Sequence, residues 1–215
     1  MSAQIPPVLT PPKRASWSAR LFSFPAVMGL ALIAMLFAWA NQAGRGASVA
    51  DPDIWWHLRN AADLLHTRHF PHTAPWTFTV AGQPWMNGEW LAELPYYFAY
   101  RVLGDRGLFL VTMLVTSAIV LSIYGLARMR CGTWRGAFLG AVATAAFATV
   151  SLAPRTLLFG WLCLVAELAV LWNFEKGRDY TAWLPIVFLF WVNAHGSWFV
   201  GFVLMLVYFA GGWME

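Results

Sequence analysis

Charge is scarce in this sequence. Of its 215 residues only 11% are Asp, Glu, Lys or Arg while 60% are hydrophobic, and the mean hydropathy is +0.57, a balance that excludes an ordinary soluble domain. Cysteine is nearly missing as well. Cys131 lies beside a basic loop and Cys163 inside an apolar run, so no disulfide framework is implied. Basic residues fall in small groups, and a pI near 9.4 then reflects anchoring at an anionic membrane leaflet and no nucleic-acid binding.

What the chain has in abundance is uncharged apolar sequence. A spanning helix needs about 20 mostly apolar residues, and candidate runs lie at residues 21–40, 108–126, 136–152 and 157–174. A fifth run at 183–213 is too long for one span and is interrupted by Asn193-Ala194-His195-Gly196-Ser197. That predicts two short helices, or one broken helix, around a polar elbow. The expected fold class is an all-α polytopic membrane protein with about 5–6 transmembrane helices. Residues 1–20, Pro-rich from Ile5 to Pro12, are expected to be a disordered cytoplasmic tail, and 21–215 a single membrane domain. Ala38-Trp39-Ala40 has the look of a small-residue cleavage site, but the apolar run before it is longer than a signal core, which favours an uncleaved anchor.

Orientation follows from the basic residues, because Lys and Arg in short loops are retained in the cytoplasm. Lys13, Arg14 and Arg20 precede the first run, Arg128, Arg130 and Arg135 separate the second and third, and Lys176 and Arg178 separate the fourth and fifth. These alternate consistently. The long loop at 41–106 carries five Arg (45, 59, 68, 101, 106) against six acids (Asp51, Asp53, Asp63, Glu89, Glu93, Asp105), so it belongs outside the cytoplasm. An inner (plasma) membrane protein of a bacterium, with a cytoplasmic N-terminus, is expected.

The loop at 41–106 holds most of the polar chemistry. Asp51-Pro52 is a strong helix start, and Ile54, Trp55, Leu58, Ala61, Ala62 and Leu65 form an apolar stripe to about His66, with Asp53, His57 and Asn60 on another face. Such a helix is expected to lie at the interface with Trp55 and Trp56 at headgroup depth. Trp76-Thr77-Phe78-Thr79-Val80 alternates like a short strand, and Ala81-Gly82-Gln83-Pro84 reads as a turn. Asn87 is expected to cap a second amphipathic helix with Trp90, Leu91, Leu94 and Phe98 as its apolar stripe, Glu89, Glu93 and Tyr97 in line beside it, Pro95 within it and Gly104 ending it.

These residues carry a family resemblance. Asp51-Pro52-Asp53-Ile54-Trp55-Trp56-His57-Leu58-Arg59 resembles the acidic first-loop motif of the GT-C membrane glycosyltransferases, among them bacterial relatives of protein mannosyltransferases and lipopolysaccharide-core glycosyltransferases. Gly82-Gln83-Pro84-Trp85, Glu89-Trp90-Leu91, Glu93-Leu94 and Trp191-Val192-Asn193-Ala194-His195-Gly196 resemble a bacterial branch of the same superfamily. The likeness runs from about Leu21 onward. Gly88 stands where that branch would place a His, and the family continues with further spans past the position of Glu215, so the chain resembles the N-terminal part of such an enzyme or a reduced relative.

The resemblance implies transfer of a sugar from a polyprenyl-phosphate donor to an extracytoplasmic acceptor, by an inverting, base-assisted displacement. It places Asp51 or Asp53 in the base or metal role, with Glu89 as a second acid. Asp53 and His57, one helical turn apart, could bind a divalent cation, Mg or Mn. Arg59 and Arg155 suit phosphate because a guanidinium matches its oxygens in pairs, and Trp55, Trp56, Trp90, His57 and His195 complete the expected substrate-binding set.

Simpler readings stand beside each of these. Asp51 can be a plain helix cap, the Trp residues interfacial anchors, His66, His69 and His72 solvated loop side chains, and Glu89 a favourable acid near a helix start. Glu167 sits deep in the fourth apolar run, where an acid is costly and usually paired or functional; His195 and Asn193 are its candidate partners, and His195 could alternatively ligate a pigment or haem. The competing function is a non-catalytic membrane scaffold or accessory subunit of a larger complex, with other membrane proteins as partners. A transporter or channel fits less well, because the charges gather in one loop and not along several spans.

Overall fold

The computed structural model describes residues 21–43, 51–74, 76, 78–148 and 153–214. The expected tail at 1–20 lies outside these residues. Among the described residues the chain is all-helical and has no strand. The helices are α1 (Phe24–Ala43), α2 (Asp53–Thr67), α3 (Trp90–Leu103), α4 (Asp105–Cys131), α5 (Trp134–Ala148), α6 (Leu157–Glu175), α7 (Leu184–Val192) and α8 (Trp198–Met214), with a single 3-10 turn at Thr181–Trp183 leading into α7.

Two of them, α4 and α6, are long and apolar enough to cross a membrane, while the apolar stretches Phe24–Ala38, Thr181–Val192 and Trp198–Gly211 are shorter. The polar elbow breaks the last run into α7 and α8. Its cause is local: Asn193 Nδ2 donates to the carbonyl of Leu189 at 2.8 Å, and Ser197 N–H donates to His195 Nδ1 at 2.9 Å. Side chains thereby take backbone groups that would otherwise extend the helix.

Helix α4 is the axis of the molecule, packing against α1, α3, α5 and α6. Two apolar cores form along it. In one, Leu32 and Leu36 of α1 meet Met113, Val120 and Tyr124 of α4 and the small residues Ala137, Ala141 and Ala145 of α5. In the other, Ile54 and Leu58 of α2, Ala92 and Tyr96 of α3, Leu108 of α4, Phe159 of α6 and Ala194 of the elbow come together. The second core is the floor on which the polar residues of the loop stand.

The loop keeps its two helices, with revised faces. Ile54, Leu58 and Ala61 of α2 are buried as their spacing predicts, but Trp55 and Leu65 are exposed. In α3 the buried residues are Ala92, Glu93 and Tyr96, and Phe98, assigned to the apolar stripe, is exposed. The acid faces inward because hydrogen-bond donors from α2 and from Asn87 meet it there. Of the expected strand at 76–80, Thr77 lies outside the described residues, and Trp76 and Phe78 to Val80 form no strand. An isolated bridge pairs Thr73 with Pro84, and Trp85 N–H donates to His72 O at 2.9 Å, so the hairpin closes below the segment that was expected to be its strand.

Helix α3 runs into α4 through one residue. Gly104 has φ 58 and ψ −142, a conformation open to glycine and strained for other residues. The corner is tight: a Cβ on Gly107 would lie 2.1 Å from the carbonyl oxygen of Ala99.

Candidate functional site

Asp51, just ahead of α2, is a helix cap that also holds Arg155. Its Oδ1 accepts the Asp53 N–H at 3.1 Å, as a helix-start acceptor should, and its Oδ2 accepts a hydrogen bond from Arg155 Nε. Asp51 is 3% exposed while the Arg155 side chain is 47% exposed. Only Nε of Arg155 is engaged by Asp51, and the arginine side chain is half in solvent.

Further along α2, His57 is buried and its Nδ1 lies 2.9 Å from Glu93 Oε1. Glu93 has no exposed surface and also accepts from Asn87 Nδ2 at 2.7 Å and Asn60 Nδ2 at 3.4 Å. With Glu93 as a carboxylate, which accepts and does not donate, the proton of this pair is on His57 Nδ1. Trp56 stacks on the His57 ring, 4.0 Å between centroids, and fixes its plane.

The other imidazole nitrogen faces Glu89. His57 Nε2 is 3.7 Å from Glu89 Oε2, and His195 Nε2 is 3.7 Å from Oε1. Thr156 Oγ1 donates to Oε2 at 2.7 Å. Because Ser197 N–H occupies His195 Nδ1, the neutral His195 ring carries its proton on Nε2, directed at Glu89. Burial holds the His195 pKa below its ordinary value; Glu89 opposes that shift and His57 adds to it. The Glu89 side chain is 26% exposed, which leaves it reachable from solvent with an imidazole on either side.

The elbow is fastened to this cluster. Asn193 accepts twice from the start of α3, through Oδ1 from Trp90 Nε1 at 2.9 Å and through its main-chain oxygen from Leu91 N–H at 3.0 Å. Behind it, Trp191 Nε1 donates to Ser197 Oγ at 3.0 Å. Gly160 makes room for this arrangement, since a Cβ there would stand 2.5 Å from Ser197 Oγ.

Of the residues singled out in the sequence, Asp51, His57, Glu89, Trp90, Arg155 and His195 fall into this one region. Asp53 and Arg59 do not join it. Asp53 is exposed, and Arg59 pairs with Asp63 at 3.1 Å and lies over the Trp76 ring. Trp55 is also directed away, edge-on to Tyr100. Of the two expected cation ligands, His57 turns its Nδ1 to Glu93 while Asp53 is exposed to solvent. Among the described residues no group of three or more His, Cys, Asp or Glu side chains is arranged to hold a metal ion.

Glu167 departs from expectation in its partners. It is fully buried, yet neither carboxyl oxygen has a hydrogen-bond partner, and its nearest constraint is Gly201 of α8, where a Cβ would come within 2.7 Å of Oε2. His195 is turned to Glu89 instead. The sequence reading missed Glu93 as the inner acid, and with it Asn60, Asn87, Thr156 and Asn193. A usable signal existed for one of them: Glu93 lies four residues after Glu89, one helical turn on the same face.

Comparison of the chain with protein-family models, with curated proteins and with solved structures returns no match.

Proposed function

We propose that this chain is a polytopic inner-membrane glycosyltransferase of the GT-C kind, with the loop at 41–106 outside the cytoplasm, moving a sugar from a polyprenyl-phosphate donor to an acceptor there. About 5–6 spans, counting the shorter apolar helices, would hold it in the bilayer. The reading is supported above all by one observation: Glu89, partly exposed, is flanked by His57, Thr156 and His195, brought from three other parts of the chain.

In this reading Glu89 is the base. The acceptor oxygen bonds to the anomeric carbon as the bond from that carbon to the phosphate oxygen breaks, and the hydroxyl proton passes to Glu89. Polyprenyl phosphate leaves with the electron pair, its charge met by the guanidinium of Arg155. Asp51 positions Arg155, and Glu93 orients His57.

Glu89→Gln should lower transfer from a polyprenyl-phosphate sugar by about 100-fold or more, the usual contribution of a positioned base, while Asp53→Asn should leave it near wild type. Full activity in Glu89→Gln would overturn the assignment. A non-catalytic membrane scaffold is the second reading, and one feature favours it: Glu93 is saturated by three donors and Asp51 is closed by Arg155, as in a purely structural lock. In a scaffold the same substitutions would change stability alone.

A further inference from the structure

The hairpin between α2 and α3 carries large apolar side chains that the rest of the protein leaves uncovered. Phe78 is 100% exposed and Met86 84%, with Leu65, Phe70, Trp76 and Val80 exposed beside them. Grouped exposure of this kind marks a contact surface. The hydrogen bonds Ala74 N–H to Gln83 O (2.8 Å) and Trp85 N–H to His72 O (2.9 Å) close the base of the hairpin. Its tip projects beyond them.

The charge around this tip has one sign. From Leu65 to Met86 the sequence contains no Asp or Glu, but it contains His66, Arg68, His69 and His72, all four exposed. Arg59 reaches up from α2 to lie 4.6 Å from the Trp76 ring centre, although Asp63 balances its charge. Apolar and aromatic residues at a tip, with Arg68 and three imidazoles behind them and no acid, match the layering of a phospholipid surface: acyl boundary first, phosphate above it. The chain also supplies the proximity, because the hairpin lies between α1 and α4 in the sequence and cannot leave the membrane that holds α4.

We propose that this hairpin is a membrane-contacting element that sets Trp76, Phe78 and Val80 at the acyl boundary of the bilayer, with His66, Arg68, His69 and His72 at the level of the lipid phosphates. The inference rests on α4 and α6 being spans, and it is independent of any catalytic role.

The test uses the full chain with Cys131→Ser and Cys163→Ser, in vesicles of phosphatidylethanolamine and phosphatidylglycerol. A nitroxide is attached at Phe78→Cys or, as a reference on the exposed side of α4, at Leu114→Cys. Collision with oxygen and with a water-soluble nickel chelate reports depth. The expected result is a several-fold excess of oxygen over nickel collisions at position 78, approaching that at 114, and a shallower reading at 78 when phosphatidylcholine replaces the anionic lipid. If 114 reads as hydrocarbon and 78 as water, the proposal fails while the spans stand. If 78 is shielded from both reagents, a protein surface covers the hairpin and the proposal also fails. If 114 itself reads as water, the membrane reading falls and the proposal falls with it.

Discussion

Glu93 Oε1 lies 2.9 Å from His57 Nδ1, at a point where the acid has no exposed surface. Together with Asn60 of α2, which donates to the same acid, the pair joins α2 to α3 by polar contacts beside their apolar core. Removing the acid leaves the donors of His57, Asn60 and Asn87 buried and unanswered. Glu93→Ala should therefore destabilise the protein by about 3–5 kcal/mol, as for a broken buried pair, and Glu93→Gln by less. Denaturant unfolding of the purified protein measures both, and a loss below about 1 kcal/mol for Glu93→Ala would contradict the network.

Asp51 and Arg155 call for a different experiment, since the arginine is half in solvent and single substitutions would mix the pair with its surroundings. A double-mutant cycle with Asp51→Asn and Arg155→Gln should show coupling of about 0.5–3 kcal/mol. Additive losses would mean that the two side chains do not depend on one another.

His195 predicts a pH dependence with a definite sign. Burial, the largest cause, lowers its pKa, with Glu89 acting against the shift and His57 with it. The unfolded chain then binds this proton more readily than the folded one, so stability is full above the unfolded imidazole value of about 6.5 and falls as pH drops below it. Thermal unfolding followed from pH 7.5 down to pH 5 should show a steeper decline for the wild type than for His195→Gln. Parallel curves would remove His195 as the cause.

The corner between α3 and α4 can be tested with alanine. A Cβ at Gly107 meets the Ala99 carbonyl oxygen at 2.1 Å and its carbon at 2.4 Å, and a backbone neighbour cannot rotate away. Gly107→Ala should cost about 1–3 kcal/mol or more. Gly125→Ala, on the same helix with nothing within 4 Å of its Cβ, should be neutral or stabilising by up to about 1 kcal/mol. Equal effects at the two positions would refute the close approach.

Much of the helical framework was legible in the sequence because it follows from one-dimensional signals. Apolar runs placed α4 and α6, the interruption at Asn193 to Ser197 placed the elbow, and Asp51-Pro52 placed the start of α2 to within two residues. The partners in the site were not legible to the same degree. Glu93 and His57 are 36 residues apart and Arg155 and Asp51 are 104 apart, so their meeting depends on how α2, α3 and α6 pack, which no local spacing encodes. The inward turn of α3 reversed its apparent amphipathicity for the same reason: a buried acid with three donors is stable where a sequence pattern would place only apolar residues. Phe78 to Val80 failed as a strand because alternation alone provides no neighbouring strand to pair with.

Helix α4 has 27 residues, about 40 Å at 1.5 Å per residue, against a hydrocarbon layer of about 30 Å. In a bilayer such a helix must lean or protrude, and the amount is set by the thickness of the lipid around it. Gly104 leaves no slack between α4 and α3, and Gly107 holds the corner against Ala99. The two helices thus form a bent lever without slack at its corner, its short arm beginning next to Glu89.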